Sequence, residues 1–195
     1  MKIALMAGHA YESEGAEMCA GYYEGFGEHS LARYYLPAVR ENLGALGHEV
    51  VLTHRMDAGG VSPSFSAKAA NAAGVDIALE FHFNSATPST QGCEVLYWGP
   101  SEQGRRFAEL LSARLARVLG VPDRGAKAIT SNADRGFSFF QKTKMPAFIV
   151  EPCFAGSNED EARVFGAAIH EGWFQAHCAR VIHETISDVY NRKEA

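Results

Sequence analysis

A chain of 195 residues, 47% apolar and 21% charged, has the length and composition of one globular domain with a substantial core. Its formal net charge of -5 excludes the basic surface expected of a nucleic-acid binder, or of a protein adhering to anionic membranes or wall polymers. The four cysteines (Cys19, Cys93, Cys153, Cys178) are scattered without a CxxC pair, which fits a reduced compartment or packing roles better than a disulfide scaffold.

Six strand-like runs, at 2–7, 49–54, 76–83, 93–98, 126–131 and 147–151, alternate with helical segments. That alternation predicts an α/β fold, a single twisted, mostly parallel six-stranded sheet flanked by helices. The first run is too short in apolar residues, and too soon followed by the polar stretch Glu12 to Glu17, to be a signal peptide. It is therefore read as a strand, with synthesis in the cytoplasm without an export signal. Residues 10–27 form a long loop rich in Gly, Tyr and Glu, and loops of that length are usually functional or mobile. From Glu28 to Leu46, Leu31, Tyr34, Tyr35, Val39, Leu43 and Leu46 recur at helical spacing, with Pro37 predicting a kink or a late start and Gly47 a stop. A short Ala-rich helix is expected over 64–73. A clearly amphipathic one is expected over 101–119, opened by Ser101 as N-cap and closed by Gly120. One last long helix should run from about Glu159 to Val189, with Gly166 and Gly172 as weak points. No apolar stretch reaches membrane-spanning length, and no repeat or linker marks a second module, so 1–195 is read as a single domain.

Three of these strand ends carry chemistry, where α/β folds place it. The first strand ends in Gly8-His9, the third carries His82 near its end, and the sixth ends in Glu151, followed by Pro152, Cys153 and Phe154. A carboxylate closing an apolar strand is costly unless something pairs with it or uses it. If the third strand alternates faces, His82 shares a face with Glu80, and Asn84 is available as a hydrogen bonder behind a metal ligand. Each His taken alone is more simply an ordinary half-buried histidine among the eight in the chain. Their joint placement is what suggests a metal-dependent hydrolase. A catalytic zinc takes three protein ligands and leaves one position open. Glu28 is the best placed for the third position, with the adjacent His29 as competitor, although on its own an acidic residue at a helix start is better accounted for by the helix dipole.

The ordered set of motifs is similar to the zinc-dependent N-acetylmuramoyl-L-alanine amidases. The matching pieces are Gly8-His9, Glu28, Gly47-His48-Glu49-Val50, Thr53-His54-Arg55, Ala70-Asn71 and Asp76. They continue with His82-Phe83-Asn84-Ser85, Gly92-Cys93-Glu94-Val95, Pro146-Ala147 through Glu151, then Phe154 and Ser157-Asn158. They run in order from the first strand to residue 161. The resemblance implies His9, Glu28 and His82 as ligands of Zn2+ and Glu151 as the catalytic carboxylate, and it favours Glu28 over His29 because the distance from Glu28 to Gly47 fits the family's helix. It implies one catalytic amidase domain with no separate wall-binding module. The expected substrate is peptidoglycan or its muropeptide fragments, cut between N-acetylmuramic acid and L-alanine. No nucleic acid and no stable membrane insertion are expected, and the state is expected to be monomeric. A phage or prophage endolysin acting on the cell wall, or a wall-recycling enzyme, is the implied setting. The chain departs from the family at Met6-Ala7 (usually Asp-Pro), at Tyr11-Glu12-Ser13-Glu14 (usually Gly-rich), at Glu80 (commonly Ser) and at Cys153 (usually Gly). Two other classes compete: a zinc peptidase or amidohydrolase acting on a soluble peptide or acyl amino acid, and a wall-binding regulator without turnover. Tyr22, Tyr23 and Trp98 could touch sugar or peptide, but packing explains them better. Arg135 and Lys142 could meet peptide carboxylates, though a solvated charge explains them as well.

Overall fold

The strand segments 2–7, 77–81, 93–98 and 147–151 are buried on both faces, which is why they read as almost continuous apolar runs, whereas 49–52 and 123–129 stay half-exposed. The computed structural model describes residues 1–10, 13–53 and 63–190. Tyr11, Glu12, His54 and Arg55, quoted above, lie outside the described residues. The strands are β1 (Lys2–Ala7), β2 (Glu49–Leu52), β3 (Ile77–Phe81), β4 (Cys93–Trp98), β5 (Asp123–Ile129) and β6 (Ala147–Glu151). The helices are α1 (Glu28–Ala45), α2 (Pro63–Ala73), α3 (Glu102–Leu119), α4 (Phe137–Lys142), α5 (Glu159–His170) and α6 (Trp173–Tyr190). The strands form one sheet in the order β2-β1-β3-β6-β4-β5. Every neighbouring pair is parallel except β4 against β6.

Side chains of odd and even positions divide the core between two faces. Leu5, Leu79, Phe81, Val95 and Phe148 pack with Leu31, Tyr35, Phe107, Phe165, Phe174 and Ile182 from the four helices α1, α3, α5 and α6. On the opposite face Met6, Ala78, Leu96 and Ile149 meet Ala67 and Ala70 of α2 and Phe139 and Phe140 of α4. This second layer is thin, and the site lies at its upper edge. Two polar pieces of the ordered motif set turn out to be structural. Asn71 bonds the carbonyl of Lys142 at 2.8 Å and the N–H of Lys144 at 2.9 Å, fixing the approach to β6, while Asp76 accepts the N–H of Lys2 at 2.7 Å.

Several expectations are corrected. The last helix is two helices, because Gly172 takes a left-handed conformation (φ 79) that ends the first, whereas Gly166 sits unbroken inside α5. Helix α1 begins at Glu28 and contains Pro37 in its interior, so the late start does not occur. The six-residue α4 was not anticipated, since fewer than two turns carry no readable period. Strand β5 begins at Asp123 instead of 126, paired through a register irregularity between Cys93 and Glu94. Strand β3 stops at Phe81, which leaves His82 just past the ladder. Among the described residues no helix is long and apolar enough to cross a membrane.

Candidate metal centre and its carboxylates

The C-terminal ends of β1, β3 and β6 open into a cavity of about 490 Å³ lined by His9, Glu28, Glu80, His82, Asn84, Arg135, Phe139, Ile149 and Glu151, among others. His9 follows β1 in the left-handed region at φ 57, a strained setting for a residue with a Cβ and one that clusters at functional sites. Glu28 enters from the start of α1. The preceding loop fixes it: the Ala16 N–H donates to Glu28 Oε1 at 2.8 Å, and Glu14 accepts from the Ser30 N–H at 2.9 Å, serving as a long-range cap where Gly27 offers no side chain. The loop segment 13–27 is therefore part of the site's scaffold. One oxygen, Glu28 Oε2, lies 3.2 Å from His9 Nε2 and 3.0 Å from His82 Nδ1. The ligand atoms of His9, Glu28 and His82 all lie within 4.8 Å of one another, a set of two imidazoles and one carboxylate suited to zinc.

Gly8 is essential to this geometry. A Cβ at that position would lie 2.1 Å from His82 Cε1, so the imidazole packs directly on bare backbone. Gly8→Ala is expected to displace His82 and lower metal affinity by at least about 10-fold, on the scale of losing a group that orients a ligand. A competition titration against a chelator would read the change, and unaltered affinity would refute the packing argument.

The ionic states are tightly coupled. Burial alone would raise the Glu28 carboxyl, but hydrogen bonds from His82 and His9 outweigh it and hold the group at about 2. Burial likewise works against a charged His82, and the bonds to Glu28 and Glu80 overcome it, pushing the imidazole well above its ordinary value. Glu151 differs. Burial raises its carboxyl to about 7, with His82 and Arg135 offsetting only part of the effect. Its Oε2 is buried without a hydrogen-bond partner, and among the described residues its Oε1 has only the Arg135 guanidinium at 3.4 Å. A buried carboxylate so poorly satisfied points to a group kept for use.

A family model described as N-acetylmuramoyl-L-alanine amidase matches residues 3–187. The chain belongs to this amidase family. No curated protein sequence matches it. Among solved structures, Cwp6 from Clostridium difficile is 20% identical with a TM-score of 0.78, covering 97% of this chain, which spans only 29% of that protein. The catalytic domain of CwlV, an N-acetylmuramoyl-L-alanine amidase from Bacillus (Paenibacillus) polymyxa var. colistinus, is 24% identical (TM-score 0.73), covering 98% of this chain and 99% of that one. The catalytic domain of the CD27L endolysin, which targets Clostridia difficile, is 23% identical (TM-score 0.74), covering 100% and 99%. At such identities these likenesses establish a shared fold.

In this amidase the other candidate residues divide clearly. His29 turns away from the cavity, buried, with Nδ1 donating to the Gly8 carbonyl at 2.8 Å, so it braces the β1 end instead of competing with Glu28. The hydrogen bonds of the Asn84 side chain go elsewhere than to His82. Its Nδ2 donates to Glu94 Oε1 at 3.0 Å, and its Oδ1 accepts from Arg135 at 2.6 Å. Tyr23 is buried, Trp98 packs on Phe137 and Tyr22 stacks on His170 at 4.2 Å; none of the three lines the cavity. Lys142 closes α4 outside the cavity lining. Cys153 is fully buried, as are Cys93 and Cys178, and burial raises all three thiols, so they act as apolar packing.

Sequence reasoning matched Glu94 only as part of a strand motif. It stands directly across from Glu151 in the antiparallel β4–β6 pair, where two carboxylates repel. Arg124 donates to Glu94 Oε2 at 2.8 Å and Arg135 to its Oε1, and these bonds hold Glu94 below the usual carboxylate range despite burial. Arg135 thus reaches Asn84, Glu94 and Glu151 together. The antiparallel direction of β4 is what brings its first residues to the site, and nothing in the sequence of β4 announces its direction.

Proposed function

We propose that this amidase cleaves the amide between N-acetylmuramic acid and L-alanine in peptidoglycan with a zinc ion held by His9, Glu28 and His82, and with Glu151 as the proton carrier. The observation that carries the reading is the shared Glu28 oxygen, within 3.2 Å of one imidazole nitrogen and 3.0 Å of another, in the same cavity as the unpartnered oxygen of Glu151. When bound, zinc supplies a Lewis acid that polarises a carbonyl and lets water ionise near neutral pH.

The protein's own groups account for the proton movements. Glu151 takes a proton from water as its oxygen bonds the scissile carbonyl carbon. It then delivers that proton to the alanine nitrogen as the C–N bond breaks, so the carboxylate is regenerated in each cycle. Burial, which raises this carboxyl in the metal-free chain, suits a group that must both take up and return a proton. Arg135, half exposed and 3.4 Å from Glu151 Oε1, favours the ionised form before each turnover. Phe139, Ile149 and Leu96 give the cavity an apolar wall. We further propose that the chain acts on the cell wall as a lytic enzyme, in the manner of an endolysin.

Digestion of purified peptidoglycan tests the reading. Stem peptides released with a free L-alanine amino terminus, leaving an intact glycan, are the expected products by mass spectrometry. Cuts within the stem peptide instead would make the protein a peptidase and overturn the substrate assignment.

A further inference from the structure

Glu80 is a carboxylate on the central strand β3, only 6% exposed, between Met6 of β1 and Ile149 of β6 in the sheet register. A charge set between apolar neighbours is costly unless it is paired. Its partner is His82, whose Nε2 lies 3.4 Å from Glu80 Oε2. The opposite nitrogen of the same ring, Nδ1, faces Glu28 Oε2 and shares that oxygen with His9. The two edges of the imidazole are thus addressed by two different carboxylates, while Gly8 presses on the ring. An imidazole that offers its Nδ1 lone pair to a metal must carry its proton on Nε2, and that proton needs an acceptor.

We propose that Glu80 is a positioning residue for the metal site: it accepts the Nε2–H of His82, fixes the tautomer and the ring's orientation, and so presents Nδ1 to the ion. This inference rests on the zinc site proposed above. Glu80 is not itself a ligand, because it addresses the nitrogen turned away from Glu28, and it lies outside the group of donor atoms that converge within 4.8 Å. Nor does it duplicate Glu151, which keeps an unpartnered oxygen while Glu80 is engaged with His82. An orienting carboxylate behind a metal-bound histidine is typically worth 10–100-fold in metal affinity.

The test is zinc affinity measured by chelator competition on the wild type, E80L, E80Q and H82A, together with thermal unfolding of each metal-free protein. E80L removes the acceptor but keeps an apolar group of similar size. It should weaken zinc binding by about 10–100-fold while its metal-free form unfolds no earlier than the wild type. E80Q, which keeps an acceptor oxygen, should recover most of the affinity, and H82A should lose more than either. In the zinc-saturated wild type, long-range proton–nitrogen NMR correlations should place the His82 proton on Nε2. Wild-type affinity in E80L, or a proton on Nδ1, would overturn the role of Glu80 and leave the metal site standing. A wild-type protein that binds no zinc would overturn both.

Discussion

Glu151→Gln is expected to keep one zinc per chain and to lower the rate of amide hydrolysis by about 10³-fold or more, because the amide removes the only group proposed to carry protons while leaving the ligand set intact. Metal analysis beside a turnover assay decides it; an active, zinc-loaded variant would end the assignment. The same variant carries a stability prediction of the opposite sign. Burial raises the Glu151 carboxyl from its ordinary 4.5 to about 7, so the folded, metal-free chain holds this proton more tightly than the unfolded chain does. Stability is therefore unaffected by this group below about pH 4.5, falls as pH rises through the interval, and carries the full penalty above about pH 7. A shift of this size corresponds to roughly 3 kcal/mol. In the presence of a chelator, Glu151→Gln should melt well above the wild type at pH 8 and close to it near pH 4. A difference independent of pH would show that the burial penalty is not the cause.

His9→Ala and His82→Ala are each expected to abolish both zinc binding at micromolar concentration and hydrolysis. A centre with one imidazole and one carboxylate retains too few donors for a catalytic zinc. The two variants should differ in stability. His82 is the more buried partner and bonds the buried Glu28 at 3.0 Å, whereas His9 is a third exposed and lies at 3.2 Å. Removing His82 leaves Glu28 with His9 and the N–H groups of Ala16 and Phe83, a loss of about 1–3 kcal/mol, and removing His9 should cost less. Metal analysis and thermal unfolding of both variants check this. A fully zinc-loaded His82→Ala protein would remove the basis of the site.

The alternation of apolar strands with amphipathic helices made the α/β sheet legible, as did the unusual His and Glu at strand ends, because strand periodicity and the cost of burying charge are properties of short segments. What stayed hidden depends on pairing between distant segments. Nothing in Cys93 to Trp98 says that the strand runs against β6, so the Glu94–Glu151 pair and the bridging Arg135 could not be read as a unit. Helix α4 was missed for lack of length, although its Phe139 walls the cavity. On local grounds Glu28 was the better placed and His29 its competitor, and the family resemblance favoured Glu28. The fold turns one into the cavity and the other against the Gly8 carbonyl.

The single antiparallel pairing in an otherwise parallel arrangement makes strand register a chemical variable. A slide of β4 along β6 by two residues would preserve the faces yet carry Glu94 away from Glu151, changing the surroundings of that carboxyl without any substitution. Residues 86–92, the part of the β3–β4 connection beyond the cavity lining, are thus a place where the pH range of such an enzyme can be tuned from outside its site.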